Sequence, residues 1–199
     1  MEHDELLRRG LLLEYATLEW NVVGVVILAA AAYASRSVAL AGFGLDSLIE
    51  IFASVVVVWQ LLGIHLNRES LALRLIDVAF VLLVIYIAVQ LAYTILTRTH
   101  PEPSRSGIVW TTLTCLTMLG LAYGKLVTGQ QLRNEVLRTE ARVTLIDAYL
   151  AAAVLIGLAF NALRGWWWAD PLASLVIVYY GVREARHAFA GASLNAPPP

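Results

Sequence analysis

Six apolar runs dominate this chain: Leu11 to Ala34, Val38 to Ile64, Leu71 to Leu96, Gly107 to Val127, Val136 to Leu163 and Trp167 to Ala190. Each is long enough to cross the hydrocarbon core of a bilayer, which takes about 20 predominantly apolar residues in a helix. Lipid offers no partner to backbone N–H and C=O groups, so such a run satisfies them internally by coiling. Hydrophobic residues are 59% of the 199 and charged residues 15%, which excludes an ordinary water-soluble domain. The expected fold is an all-α membrane protein, with six transmembrane helices in one bundle over residues 1–191 and a short, Pro-rich, disordered tail over 192–199. Too little chain lies between the runs for a separate catalytic domain, and no C-terminal cytoplasmic domain is expected.

The first run is expected to stay in the membrane, because Met1-Glu-His-Asp-Glu5 is acidic where a cleavable signal is basic and the run exceeds a signal core in length. Orientation follows from Lys and Arg. One side holds Arg8, Arg9, Arg68, Arg74, Lys125, Arg133, Arg138, Arg142, Arg183 and Arg186, and the other only Arg36, Arg98, Arg105 and Arg164. Ten against four places both termini in the cytoplasm of a multi-pass protein of the inner cell membrane. A net charge of −1 gives no case for nucleic acid as a partner, and the lone Cys115, inside the fourth run, excludes a disulfide framework.

Punctuation agrees with these spans. Ser35-Arg36-Ser37 is a tight outer turn, His100-Pro-Glu-Pro-Ser104 a rigid outer loop, and Gly165 a left-handed cap to the fifth helix. Trp166, Trp167 and Trp168 follow as an interfacial aromatic belt. Asp170-Pro171 reads as the start of the sixth helix, with Asp170 capping its own N–H groups.

Against this apolar background, Asp46 and Glu50 stand one helical turn apart in Gly42-Phe-Gly-Leu-Asp-Ser-Leu-Ile-Glu50. An ionised acid at mid-membrane costs at least about 2.5 kcal/mol, and two on one helix face repel each other as well. A cation or proton is expected to neutralise them. Polar residues form stripes at helical spacing: Gly42, Asp46, Glu50 and Ser54 on the second helix; Glu140, Thr144, Asp147 and Ala151 on the fifth; Glu14, Thr17, Asn21 and Gly24 on the first; and, more weakly, Thr111, Thr114 and Met118 on the fourth. Four helices are thus expected to surround a polar path, with the third and sixth packed outside.

Several of these residues have a plain structural reading. Asp77 pairs with Arg74 at an interface, Glu14 is near enough to the cytoplasmic end to be solvated, Asn21 serves as an interhelical hydrogen bond, and the Thr residues bond back to their own helices. Asp46, Glu50 and Asp147 are read as functional, since no basic residue stands at comparable depth in the sequence to pair with them. Asn21, Glu19, Glu140 and Thr144 are candidates for an auxiliary metal or proton site.

Three carboxylates from two helices can replace part of the hydration shell of a divalent cation, whose charge removes their repulsion. Metal and proton compete for the same lone pairs, which is the physical basis of antiport. Carrying two charges out against an inside-negative potential costs about 4.6 kcal/mol per 100 mV, and an entering proton offsets about half of that. His3, His65, His100 and His187 all lie at termini or helix ends, so the buried site is all oxygen unless Cys115 turns towards it. Oxygen donors suit manganese or iron(II), with zinc remaining open. The metal is cargo, and no resident cofactor is expected.

The segment Ser37-Val-Ala-Leu-Ala-Gly-Phe-Gly-Leu-Asp-Ser-Leu-Ile-Glu50 resembles the second-helix signature of cation diffusion facilitators, where two acids four apart begin the metal site. Thr139-Glu-Ala-Arg-Val-Thr-Leu-Ile-Asp147 resembles the fifth-helix signature, and Gly165-Trp-Trp-Trp-Ala-Asp-Pro-Leu-Ala-Ser174 is similar to the entry into the sixth helix. The resemblance implies a homodimeric exporter of divalent metal, exchanging it for protons by alternating access, with Asp46, Glu50 and Asp147 as ligands. Val143 stands where zinc-transporting relatives place His, which leaves the fourth ligand open, and the chain resembles short forms without the cytoplasmic domain.

Two other functional classes fit buried acids: a non-transporting membrane protein that binds metal or a partner, and a proton-coupled carrier of another substrate. An enzyme does not fit, because neither a nucleophile with its base nor a His-Glu-x-x-His ligand pair occurs. Gly42 and Gly44, and Gly120 and Gly124, offer small-residue surfaces for close helix contact.

Overall fold

A computed structural model describes residues 2–62, 69–97 and 100–194. Among them are six helices: α1 (Glu2–Ser35), α2 (Val38–Leu61), α3 (Glu69–Thr97), α4 (Arg105–Leu132), α5 (Glu135–Arg164) and α6 (Ala169–Leu194). Four are long and apolar enough to cross a membrane, over His3–Ser35, Val38–Trp59, Arg105–Leu132 and Leu137–Arg164. The apolar stretches of the other two, Val81–Thr97 and Ala169–Tyr180, are shorter. His65, Arg68, Arg98 and residues 195–199 lie outside the described residues, as do the side chains of Arg74, Asp77, Arg186 and His187.

Helices α1, α2, α5 and α4 pack as a closed ring, each against the next, while α3 touches α2 and α6, and α6 also lies on α5 and α2. The four-plus-two arrangement expected from the polar stripes is the one observed. Large apolar side chains such as Val26, Phe52, Leu82, Val89, Leu116 and Ile156 are turned outward along the bundle. So much exposed apolar surface suits hydrocarbon and not water. Inside, Leu28, Leu40, Phe43, Ile87, Val154, Leu158 and Ile177 form the apolar core.

The turns hold the ring in register. Arg36 takes a left-handed conformation (φ 53°) between α1 and α2, and Gly165 (φ 66°) ends α5, its N–H donating to the carbonyl of Asn161 at 3.0 Å. Asn161 donates in turn to the Pro101 carbonyl at 2.9 Å, and the Glu102 N–H donates to the Ser35 carbonyl at 2.8 Å. The linker before α4 is thereby tied to the ends of both α5 and α1. Trp166 stacks on Phe160 and on Trp168, and Trp167 stacks on His100.

Asp170 does not cap its own helix, contrary to the sequence expectation. It lies one residue inside α6, fully buried, and accepts from the N–H groups of Val38 (3.0 Å) and Ala39 (3.3 Å) and from the Ser37 hydroxyl. The carboxylate of α6 thus answers the free donors and positive dipole end of α2, and Ser37 Oγ accepts from Leu40 N at 3.0 Å to complete the cap. Close packing accompanies it. A Cβ on Gly157 would stand 2.8 Å from Ala173 Cβ and 2.9 Å from the Ala169 carbonyl, so α5 and α6 touch where only glycine fits. The glycines considered for contacts between copies are mostly spent inside the bundle: Gly42 faces Ile87 and Ile177, Gly44 faces Leu28 and Gly124 faces Leu13, whereas Gly120 is open.

Removing the shared cap with Asp170→Ala is expected to lower stability by about 2 kcal/mol, the upper end for lost caps, because both α2 donors stay buried. Thermal unfolding in detergent measures this.

Candidate metal centre

Each stripe of polar residues read from the sequence turns into the ring. On α1, Glu14, Thr17, Asn21, Gly24 and Leu28 recur at helical spacing and are all buried. Facing them are Ser47, Glu50 and Ser54 of α2, Thr111, Thr114 and Met118 of α4, and Glu140, Thr144 and Asp147 of α5. Thr17 and Thr111 bond back to carbonyls of their own helices, as expected, but Thr114 accepts from Trp20 Nε1 at 3.1 Å across the α1–α4 contact.

At the middle of the column, Glu50 and Asp147 meet across the α2–α5 interface, carboxyl group against carboxyl group. Asn21 Nδ2 donates to Glu50 Oε2 at 3.0 Å, whereas Glu50 Oε1 and both oxygens of Asp147 are buried with no donor. Two ionised carboxylates in contact repel, so a proton or cation between them is what makes this contact tolerable. Ser54 Oγ, one turn from Glu50, is also buried without a partner. Asp46 is half-buried, and its charge reaches Asp147. Among the described residues, no three His, Cys, Asp or Glu side chains are spaced to hold one ion as they stand. Glu50 and Asp147 are thus brought together, with Asp46 beside them and not converged upon them.

About one to two turns nearer the α4–α5 connection lies a second polar layer whose basic member the sequence reading did not place there. Lys125, counted above as an interfacial charge, is 0% exposed. Its Nζ donates to Glu14 Oε2 at 3.0 Å, to Thr144 Oγ1 at 3.1 Å and to Glu140 Oε1 at 3.4 Å. Glu14 is likewise 0% exposed, which overturns its reading as a solvated residue. A base does stand near the depth of the metal-site acids, and its charge reaches Glu50 and Asp147. The signal was present: Lys125 stands seven residues after Met118 and continues the stripe Thr111, Thr114, Met118. Of the auxiliary candidates, Asn21 holds Glu50, Glu140 and Thr144 hold Lys125, and Glu19 is exposed on the outer surface of α1.

At the other end of the column, Trp20 stacks on Trp110 with ring centroids 4.8 Å apart. Gly24 gives Trp110 its place, since a Cβ there would stand 3.3 Å from the indole nitrogen. The aromatic pair and the apolar core beyond it close this end, whereas the polar layers continue towards the α4–α5 connection. A cavity of about 1450 Å³ lies elsewhere, between α1, α2 and α3, lined by residues such as Ala29, Tyr33, Leu48, Phe52 and Tyr86. It includes none of the column's acids.

Apolar outward faces, helices able to cross a bilayer and carboxylates sequestered in a ring define an integral membrane protein with a polar, acidic interior. The chain belongs to the cation efflux family: residues 20–193 match the model of the cation efflux transmembrane domain. Members of this family are metal cation transporters.

Lys125→Met is expected to destabilise the fold by about 3–5 kcal/mol, because Glu14 and Glu140 lose the ammonium that compensates their burial. Adding Glu14→Gln and Glu140→Gln is expected to restore most of that loss, as thermal unfolding of the variants measures.

Proposed function

We propose that this protein is a divalent metal cation exporter that binds its ion between α2 and α5 and exchanges it for protons by alternating access. The observation that carries this reading is the buried contact of Glu50 with Asp147, three of whose four carboxyl oxygens have no donor. Oxygen lone pairs facing one another in a low-dielectric interior attract a divalent cation or protons, and one excludes the other. Asp46 completes the ligand set when the ring helices shift during the cycle, and Asn21 orients Glu50 by holding one of its oxygens. Manganese or iron(II) suits these donors, with zinc as a further substrate.

In this reading all six helices span the inner cell membrane and both termini are cytoplasmic, as the Lys and Arg distribution argues. The Trp20–Trp110 stack then closes the column towards the outside, and the acids lie nearer the cytoplasm. The carrier works as a homodimer. Flux is driven by proton entry, which offsets part of the electrical cost of moving two positive charges outward.

Reconstituted into proteoliposomes, the protein is expected to give manganese flux that depends on an opposing proton gradient. Asp147→Ala and Asp46→Ala are expected to reduce it to the level of empty vesicles while the helical content is retained. Unchanged flux in both variants would overturn the site.

Acidification on the loading side is expected to weaken apparent metal affinity about tenfold per pH unit for each proton displaced. A binding titration at several pH values measures the slope. A slope of zero would remove proton exchange from the mechanism.

A further inference from the structure

The acids of the ring exceed what one transported ion needs. Glu50 and Asp147 form one pair, and Glu14 and Glu140 another, about two turns away towards the α4–α5 connection. The second pair is already served. Lys125 Nζ sits among Glu14 Oε2, Thr144 Oγ1 and Glu140 Oε1, at 3.0, 3.1 and 3.4 Å, and all three accepting residues are buried. Glu14 Oε1 is turned inward with no donor of its own, so the oxygen set is larger than the ammonium uses.

We propose that Glu14, Glu140 and Thr144 form a second divalent-cation site, which Lys125 fills with its own ammonium and so withholds from the transported metal. The reasoning is one of charge and donor type. Two carboxylates and a hydroxyl from α1 and α5 are hard oxygen ligands of the kind that hold manganese or calcium. Left without a cation, they carry the same burden that makes the Glu50–Asp147 contact depend on one. A tethered cation removes that burden permanently, whereas Glu50 and Asp147, which have no basic side chain bonded to them, depend on an exchangeable one. Lys125 therefore acts as a specificity-determining residue. It limits the column to one exchangeable ion, and it keeps an ion moving between the α4–α5 end and Glu50 from being trapped on Glu14 and Glu140. This assignment extends the transport reading, which concerns Glu50 and Asp147.

The test is a count of bound manganese(II) by equilibrium dialysis of purified full-length protein in detergent. Lys125→Ala, purified with manganese present, is expected to bind one ion more per chain than the unmodified protein. Lys125→Arg keeps the cation in its seat and is expected to bind no additional ion. Adding Glu14→Gln to Lys125→Ala is expected to abolish the extra ion. An extra ion that survives Glu14→Gln, or an unchanged count in Lys125→Ala, overturns the proposal. Failure to recover Lys125→Ala in the presence of manganese also counts against it, because the vacated seat then cannot be filled from solution. The comparison separates the two sites. If the unmodified protein binds no manganese while Lys125→Ala binds one, the transport site fails and this inference stands; equal counts of one leave the transport site and remove the inference.

Discussion

The ammonium of Lys125 reaches side chains on two other helices and binds two buried acids at once. Its position decides how the ring is built. A lysine in hydrocarbon is tolerated only when its charge is answered, and a carboxylate has the same need. With Lys125 on α4, Glu14 on α1 and Glu140 on α5, each burial becomes tolerable through the others, and three helices are pinned at one level. The arrangement leaves Glu50 and Asp147 as a buried pair to which Lys125 does not bond, and on which the proposed exchange of metal for proton rests.

Polarity is layered along the column in a sensible order for a carrier. The fixed ion pair lies at one level, the Glu50–Asp147 carboxyl pair beyond it, and then two stacked tryptophans with apolar packing beyond. The polar end of the column is acidic and the aromatic end apolar. Helices α3 and α6 stand outside the ring, and among the described residues they supply packing, apart from Asp170.

Much of this was legible in the sequence, and the residues that were not share a cause. Helical periodicity alone placed Glu14, Thr17, Asn21, Glu50, Thr144 and Asp147 on inward faces, because in lipid polar side chains have nowhere else to turn. Depth was harder to read. Lys125 stands seven residues before the end of α4, about two turns by helix geometry, and an ordinary hydropathy boundary assigns such a position to the interface. Nor does α1 begin where its apolar run does: it extends back to Glu2, so Glu14 is a mid-helix residue. The cap made by Asp170 was missed for a different reason. Its sequence neighbourhood, Asp before Pro, fits a local cap well, and nothing in the local pattern reports that the free donors of α2 stand opposite.

That long-range cap has a mechanical side. The hydrogen bonds from Ser37, Val38 and Ala39 to Asp170 join the start of α2 to the start of α6, and α3 leans on both. Sliding α2 past α6 would strand a buried carboxylate and two backbone donors at once. One carboxylate on α6 therefore fixes where α2 begins, and with it the height at which the rest of that helix stands in the ring.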